Sequence, residues 1–315
     1  MGKTALLLEL AERCKAENFI PVRVAANDRM LDEIIEGIQL AGARFVDGKP
    51  KSVQSVSIGG FGFSVGLTFT EDVNNNYGFR TKLTLLCEAL SKRNKGILFL
   101  VDEVQASTSE MREFATTYQH LVGDAMNVAF AMAGLPGAVS SVLNDDILTF
   151  LNRAHKVHLG PLPLNEISSY FFRIFSDMNI DADARLLDSL ATSTKGYPYM
   201  LQLIGYHLMG LIDSSGGFTQ TVIDLAVTNA KRMLIDNVYT PCLKPLSNED
   251  YRFLKAMAVD EEVSEVADLK TRLKSSASHI QTYKQRLIEA GIIDSPGRGI
   301  VEFTIPYIGE YLRGE

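Results

Sequence analysis

Two carboxylates side by side, Asp102 and Glu103, directly follow a run of five apolar residues, Ile97-Leu98-Phe99-Leu100-Val101. Paired acids can divide a task, one holding a hydrated divalent cation and the other taking a proton from an attacking water. The apolar run, preceded by the breaker Gly96 and β-branched at both ends, reads as a strand buried on both faces of a parallel sheet. In an open α/β sheet the carboxyl ends of the strands face the ligand crevice, so both acids would emerge there. A second chemical cluster opens the chain, Gly2-Lys3-Thr4. It supplies an ammonium and a hydroxyl of the kinds that meet phosphate oxygens and Mg²⁺.

Other elements must place these groups. Residues 4–15 put Leu6, Leu7, Leu8, Leu10 and Ala11 on a broad apolar face, which predicts a helix whose free N–H groups start beside Lys3 and Thr4. A strand is expected over 19–25, a helix over 29–40, a helix over 79–91, the acidic strand over 97–103, a helix over 109–122 and a strand over 127–132. A helix over 140–151 and a short last strand over 156–159 complete the alternation of a parallel α/β sheet. Between Gly48 and Thr70 the apolar residues alternate around Gly59-Gly60, a hairpin pattern that predicts an insertion between core elements. Beyond Leu164 the period is helical throughout 165–175, 182–192, 198–212 and 219–236, which predicts an all-α bundle. The last part, from Pro241, reads as helices over 248–259, 266–273 and 276–290. A hairpin follows, with Ile292-Ile293-Asp294 and Ile300-Val301-Glu302-Phe303-Thr304 flanking Ser295-Pro296-Gly297-Arg298-Gly299.

Gly2-Lys3-Thr4 has the form of the second half of a P-loop, G-x-x-x-x-G-K-[ST], and Val101-Asp102-Glu103 resembles a Walker B motif. A P-loop also needs an upstream glycine and the strand that launches it. The expectation is therefore a chain cut inside its Walker A motif. At 195–202, Lys-Gly-Tyr-Pro-Tyr-Met-Leu-Gln carries Gly196-x-Pro198 at a helix start. As an ordered set, these three motifs resemble the AAA/STAND-type P-loop ATPases, of archaeal or origin-recognition-like type. The resemblance implies a P-loop NTPase parallel sheet over 1–162 with its first strand missing, an all-α helical lid over 163–240 and a winged-helix domain over 241–315. It further implies ATP and Mg²⁺ as ligands. Gly2, Lys3 and Thr4 would hold phosphate, and Thr4 and Asp102 the cation. Glu103 would act as general base, Gly196 and Pro198 would line the adenine pocket, and Arg153 would serve as an arginine finger. Two departures stand out: the polar sensor 1 position is filled by Ala131, Met132 or Ala133, and Tyr199 stands where relatives carry a sensor 2 arginine.

In the third helix of the last part, Ile280, Leu287 and Ile288 are expected to face inward. Ser276, His279, Gln281, Lys284 and Gln285, with Arg298 at the wing tip, are the candidates for a DNA groove. Against that reading, Asp260, Glu261, Glu262, Glu265 and Asp268 make the neighbourhood acidic. The net charge of −7 excludes a general nucleic-acid coat, so DNA, a protein partner and a second copy of the chain all remain open. Cys14, Cys87 and Cys242 have no metal-ligand spacing and read as reduced thiols. No apolar run approaches the ~18 residues of a membrane span, and a cytoplasmic protein is expected. The function that follows is an ATP-hydrolysing switch coupled to the winged helix. Its alternatives are a DNA-binding protein regulated by ATP and a degenerate, non-hydrolysing fragment.

Overall fold

After Gly2 the chain forms a helix over Lys3–Ala16 (α1) and returns at once into a strand over Phe19–Ala25 (β1). The reversal takes two residues because Asn18 adopts φ 64°, a left-handed conformation that asparagine tolerates. The computed structural model describes residues 2–46, 63–65, 67–69, 71–104, 108–215 and 217–314. They divide into two units, Gly2–Val157 and His158–Glu315.

In the first unit β1 is followed by α2 (Met30–Val46), the short strands β2 (Phe63–Val65) and β3 (Thr68–Phe69), α3 (Glu71–Asn76) and α4 (Phe79–Ser91). Then come β4 (Gly96–Val104), α5 (Ser109–Gly123), β5 (Val128–Gly134), α6 (Pro136–Leu143) and a 3-10 turn over Thr149–Arg153. The main sheet is parallel in the order β1-β4-β5, with Phe19 beside Gly96, Ala25 beside Asp102 and Ile97 beside Val128. Alternation assigns the faces. Ile20, Val22 and Val24 of β1 and Ile97, Phe99 and Val101 of β4 join one core with Met30, Ile34 and Ile38 of α2, Leu83 and Leu86 of α4 and Phe114 of α5. Phe114 meets Phe99 at 5.2 Å and Phe130 at 5.1 Å, both edge to face. Such pairs add about 0.5–1.5 kcal/mol beyond the area they bury. Leu100 and Leu7 are buried outside that cluster, and α1 packs against all three strands, so α1 covers the opposite face.

Most of the hairpin expected between Gly48 and Thr70 lies outside the described residues. Within them β2 and β3 pair antiparallel, Leu67 and Phe69 join the core, and Gln39 donates to the Leu67 carbonyl at 2.9 Å. Leu67 and Phe69 are therefore packed against the core of the first unit. The strand expected over 156–159 does not form. Residues 155–163 have no regular structure and are mostly exposed, because a strand exists only where a neighbour accepts its backbone groups. β5 has a strand on one side only among the described residues, and its seven residues are all half-buried. The helix expected over 140–151 is instead α6, started by Pro136, followed by the separate 3-10 turn.

The second unit contains α7 (Leu164–Asp177), α8 (Ala184–Ser193), α9 (Pro198–Ser215) and α10 (Gln220–Leu234). A π turn over Ile235–Tyr239 leads into α11 (Thr240–Leu243). Next come α12 (Asn248–Met257), β6 (Val263–Glu265), α13 (Val266–Leu273), α14 (Ala277–Glu289), β7 (Ile293–Asp294), β8 (Ile300–Phe303) and α15 (Ile308–Arg313). The three helices α12 to α14 and the β7–β8 hairpin fall where the periodicity placed them. β6, unforeseen, pairs with β8 to give a three-stranded antiparallel sheet. One buried core runs from Ile167 and Phe171 of α7 through Leu234 and Tyr239 to Ile308 and Leu312 of α15. Among the described residues no helix is long and apolar enough to cross a membrane.

Candidate phosphate edge and the Gly196 turn

Gly2 caps α1 in a left-handed conformation, φ 87°. The first helical bond runs from Leu6 N–H to the Gly2 carbonyl, 2.9 Å. The N–H groups of Lys3, Thr4 and Ala5 therefore precede the helical ladder. The first turn carries no acidic residue and no side-chain cap, leaving the positive end of the helix available to an anion. Lys3 is half-buried and Thr4 exposed.

Topology brings this terminus to the acids. α1 runs antiparallel to β1, and its rise of 1.5 Å per residue carries it about 20 Å from the turn at Asn18. From Gly96, level with Phe19, six residues of strand likewise cover about 20 Å and end at Asp102. Lys3 and Thr4 and the Asp102–Glu103 pair thus share the carboxyl edge of the sheet.

At that edge β4 is bulged. Its register with β5 shifts between Val101 and Val104, and Glu103 takes φ 54°, which costs a side chain roughly 1–2 kcal/mol. Asp102 Oδ1 accepts the Glu103 N–H at 2.9 Å, and the Asp102 carbonyl accepts from Ala26 at 3.2 Å. Asp102 is held half-buried while Glu103 is exposed. Beyond the bulge Val104 pairs with Gly134, where a Cβ would lie 2.5 Å from the Val104 carbonyl oxygen; only glycine fits. Strain of this kind concentrates at functional sites. The β5 tip offers no polar side chain, in keeping with Ala131, Met132 and Ala133. Arg153 ends the 3-10 turn, exposed, and among the described residues no hydrogen bond or ion pair joins it to the carboxyl edge.

In the second unit Lys195 and Gly196 are both left-handed, φ 52° and 70°, and Pro198 opens α9. Thr194 Oγ1 donates to the Ala191 carbonyl at 2.6 Å and accepts the Gly196 N–H at 3.1 Å. Leu162 N–H donates to the Gly196 carbonyl at 2.7 Å. A Cβ on Gly196 would sit 2.7 Å from the Leu162 carbonyl oxygen. Tyr197 is buried with its hydroxyl unpartnered; burial pushes that hydroxyl's pKa above the usual range, helped by Cys242 and Tyr199.

The groove candidates fare unevenly. Ser276 caps α14 by accepting the His279 N–H at 3.2 Å; His279, Gln281 and Arg298 are exposed, and Gln285 donates to Glu289 at 3.0 Å. Lys284 is a correction. Half-buried, it donates to Ser295 Oγ at 2.9 Å and so fastens the hairpin to α14, because β7 packs against that helix. Ile280 and Leu287 are buried and Ile288 half-buried, as expected. The sequence reading also missed that Arg286 pairs with the buried Asp250 and Arg272 with Asp260 at 2.6 Å.

Residues 236–312 match a family described as a domain of unknown function (DUF8462). No curated protein matches the chain. Among solved structures, the Aeropyrum pernix ORC2 protein, described in ADPNP-ADP complexes, is 15% identical with a TM-score of 0.64, over 99% of this chain and 82% of that one. The Walker-type ATPase PABY2304 of Pyrococcus abyssi is 14% identical with a TM-score of 0.62, over 93% of this chain and 84% of that one. The chain shares the fold of these two structures, a parallel sheet flanked by helices followed by a helical C-terminal region.

Proposed function

We propose that this chain is a nucleotide-binding switch that takes Mg²⁺-ATP at the carboxyl edge of its sheet and hydrolyses it. The observation that carries the reading is the bulged end of β4, which sets Asp102 and Glu103 on the edge where α1 begins with Lys3 and Thr4. Lys3 and the free N–H groups of the first turn meet phosphate. Thr4 and Asp102 provide oxygens for Mg²⁺. Among the described residues no three His, Cys, Asp or Glu side chains gather into a metal cage, and the donor set suits an ion that keeps waters and phosphate oxygens as ligands. When bound, Mg²⁺ neutralises charge on the transferring phosphoryl group. Glu103, exposed and set apart from Asp102 by the bulge, takes the proton of the attacking water. Arg153 is the candidate finger, and Gly196 and Pro198 contact adenine. One structural neighbour, the ORC2 protein, is described with bound ADPNP and ADP, which supports a nucleotide as the ligand of this fold.

In this reading the chain works as three parts, 1–162, 163–240 and 241–315, the last a winged helix, in the cytoplasm. Arg272, Arg286 and Lys284 are engaged inside the last part, which favours protein contact by α14 over DNA. Fluorescence titration of the full chain with Mg²⁺-ATP tests the site: Lys3→Ala should abolish binding and Asp102→Asn should remove its Mg²⁺ dependence. Unchanged affinity in both would refute the reading. Duplex DNA titrated at two salt concentrations separates the DNA alternative, since phosphate contacts impose a steep salt dependence.

A further inference from the structure

The segment from the π turn to α15 grips the Gly196 turn from two sides. Asn237, in the π turn, donates to the Tyr199 hydroxyl at 3.0 Å. Tyr307, just before α15, donates its hydroxyl to the Ser193 carbonyl at 2.6 Å. Ser193 ends α8, so this carbonyl is one of those a helix end leaves without an intrahelical partner. The next residues are the buried Thr194 and the left-handed Lys195 and Gly196.

Tyr307 is itself firmly placed. Its backbone is left-handed, φ 60°, a conformation a bulky side chain keeps only where the surroundings over-determine it. Lys231 Nζ stands 4.0 Å over its ring and pairs with Glu310 at 2.7 Å. Lys195 Nζ, from the turn itself, lies 5.9 Å over the same ring. The residue before it, Pro306, accepts the Tyr239 hydroxyl at 2.5 Å. A single aromatic side chain therefore joins the end of α8, the first residue of the turn, α10 and α15.

We propose that Tyr307 is a positioning residue: it sets the path of residues 193–198, so that whatever binds the C-terminal module and shifts residues 306–308 alters the turn and with it nucleotide affinity. The nucleotide part rests on the reading that Gly196 and Pro198 contact adenine; the mechanical part does not. Phenylalanine at this position keeps the ring under Lys231 and removes only the bond to Ser193.

The test measures amide hydrogen exchange across residues 194–201 and Mg²⁺-ATP affinity in the full chain, for the parent, Tyr307→Phe and Lys231→Met. Tyr307→Phe should speed exchange in that window several-fold while the β4 core amides stay unchanged. It should raise the Kd for Mg²⁺-ATP several-fold and leave the turnover of saturated enzyme unaltered. Lys231→Met should act in the same direction and more weakly. Unchanged exchange in both variants overturns the proposal, as does faster exchange that extends equally to the β4 core. Faster local exchange with unchanged Kd upholds the mechanical link and overturns the nucleotide role of Gly196 and Pro198. The exchange arm decides the coupling even if the parent binds no nucleotide.

Discussion

The carboxyl edge of the first unit and the Gly196 turn of the second both rest on left-handed residues, yet they are built in opposite ways. At the edge, Gly2 has nothing within 4 Å of where a Cβ would be, and Glu103 is exposed with φ 54°. At the turn, Gly196 is buried against Leu162 and Pro161, and hydrogen bonds from Leu162, Thr194, Asn237 and Tyr307 fix its surroundings. Open strain suits groups that must meet a ligand and move protons. Enclosed strain suits a hinge whose position is set by its neighbours. The two left-handed glycines thus differ in kind, Gly2 open at the carboxyl edge and Gly196 enclosed at the turn.

That contrast breaks if the two glycines respond alike. Gly196→Ala combines positive φ with a clash against backbone, and roughly 2–4 kcal/mol of destabilisation is expected. Gly2→Ala meets no atoms and should cost only the left-handed strain itself, roughly 1–2 kcal/mol, while weakening Mg²⁺-ATP binding. Denaturant melts of both variants measure the difference; equal losses would mean that enclosure is irrelevant.

Glu103 sharpens the same comparison because its function and its stability should part company. Glu103→Gln should retain Mg²⁺-ATP and slow turnover by ~10² or more. Glu103→Gly should be as slow, yet gain about 1 kcal/mol in stability by relieving the left-handed strain. Turnover at the parental rate in Glu103→Gln would remove this residue as the base, and a destabilised Glu103→Gly would mean the bulge carries no strain.

Much of this was open to sequence reading, for reasons tied to particular residues. The strand at 97–101 declares itself because both its faces are apolar, and α14 because Ile280 and Leu287 recur at helical spacing. The bulge at Glu103 was hidden: it is a property of register against Gly134 of another strand, which no local pattern encodes. β6 is three residues long with one buried side chain, Ser264, too short to show a period. Lys156-Val157-His158-Leu159 has residues that suit a strand, but among the described residues no strand pairs with it. Lys284 reads as free because its partner, Ser295, lies across a turn, and Tyr307 meets Ser193 although 114 positions of sequence separate them.

At the turn, the expected change is in selectivity more than in stability. Pro198 is only half-buried at the first position of α9, where proline is favoured but replaceable. Pro198→Ala should therefore melt within about 1 kcal/mol of the parent while narrowing the preference for ATP over GTP. Competition titrations with the two nucleotides read this directly, and an unaltered ratio removes Pro198 from the adenine pocket.

The smallest effect is expected in the C-terminal sheet, where Asp294 and Glu302 stand directly opposite on β7 and β8. Burial and the Asp294 charge hold the Glu302 carboxyl above its usual range. A carboxyl raised in the folded state binds its proton more tightly there than in the unfolded chain. Its favourable contribution is therefore complete below the unfolded value, about 4.3, and is lost as pH rises through the folded one. At neutral pH the pair is a like-charge contact across the strands, worth roughly 0.2–1 kcal/mol of destabilisation. Glu302→Gln should therefore melt slightly higher than the parent at pH 7 and show no such advantage near pH 4. Melting curves at the two pH values decide it: a glutamine variant less stable than the parent at pH 7 would mean that the Glu302 charge is compensated, for instance through His158, whose Nε2 lies 3.5 Å from Asp294.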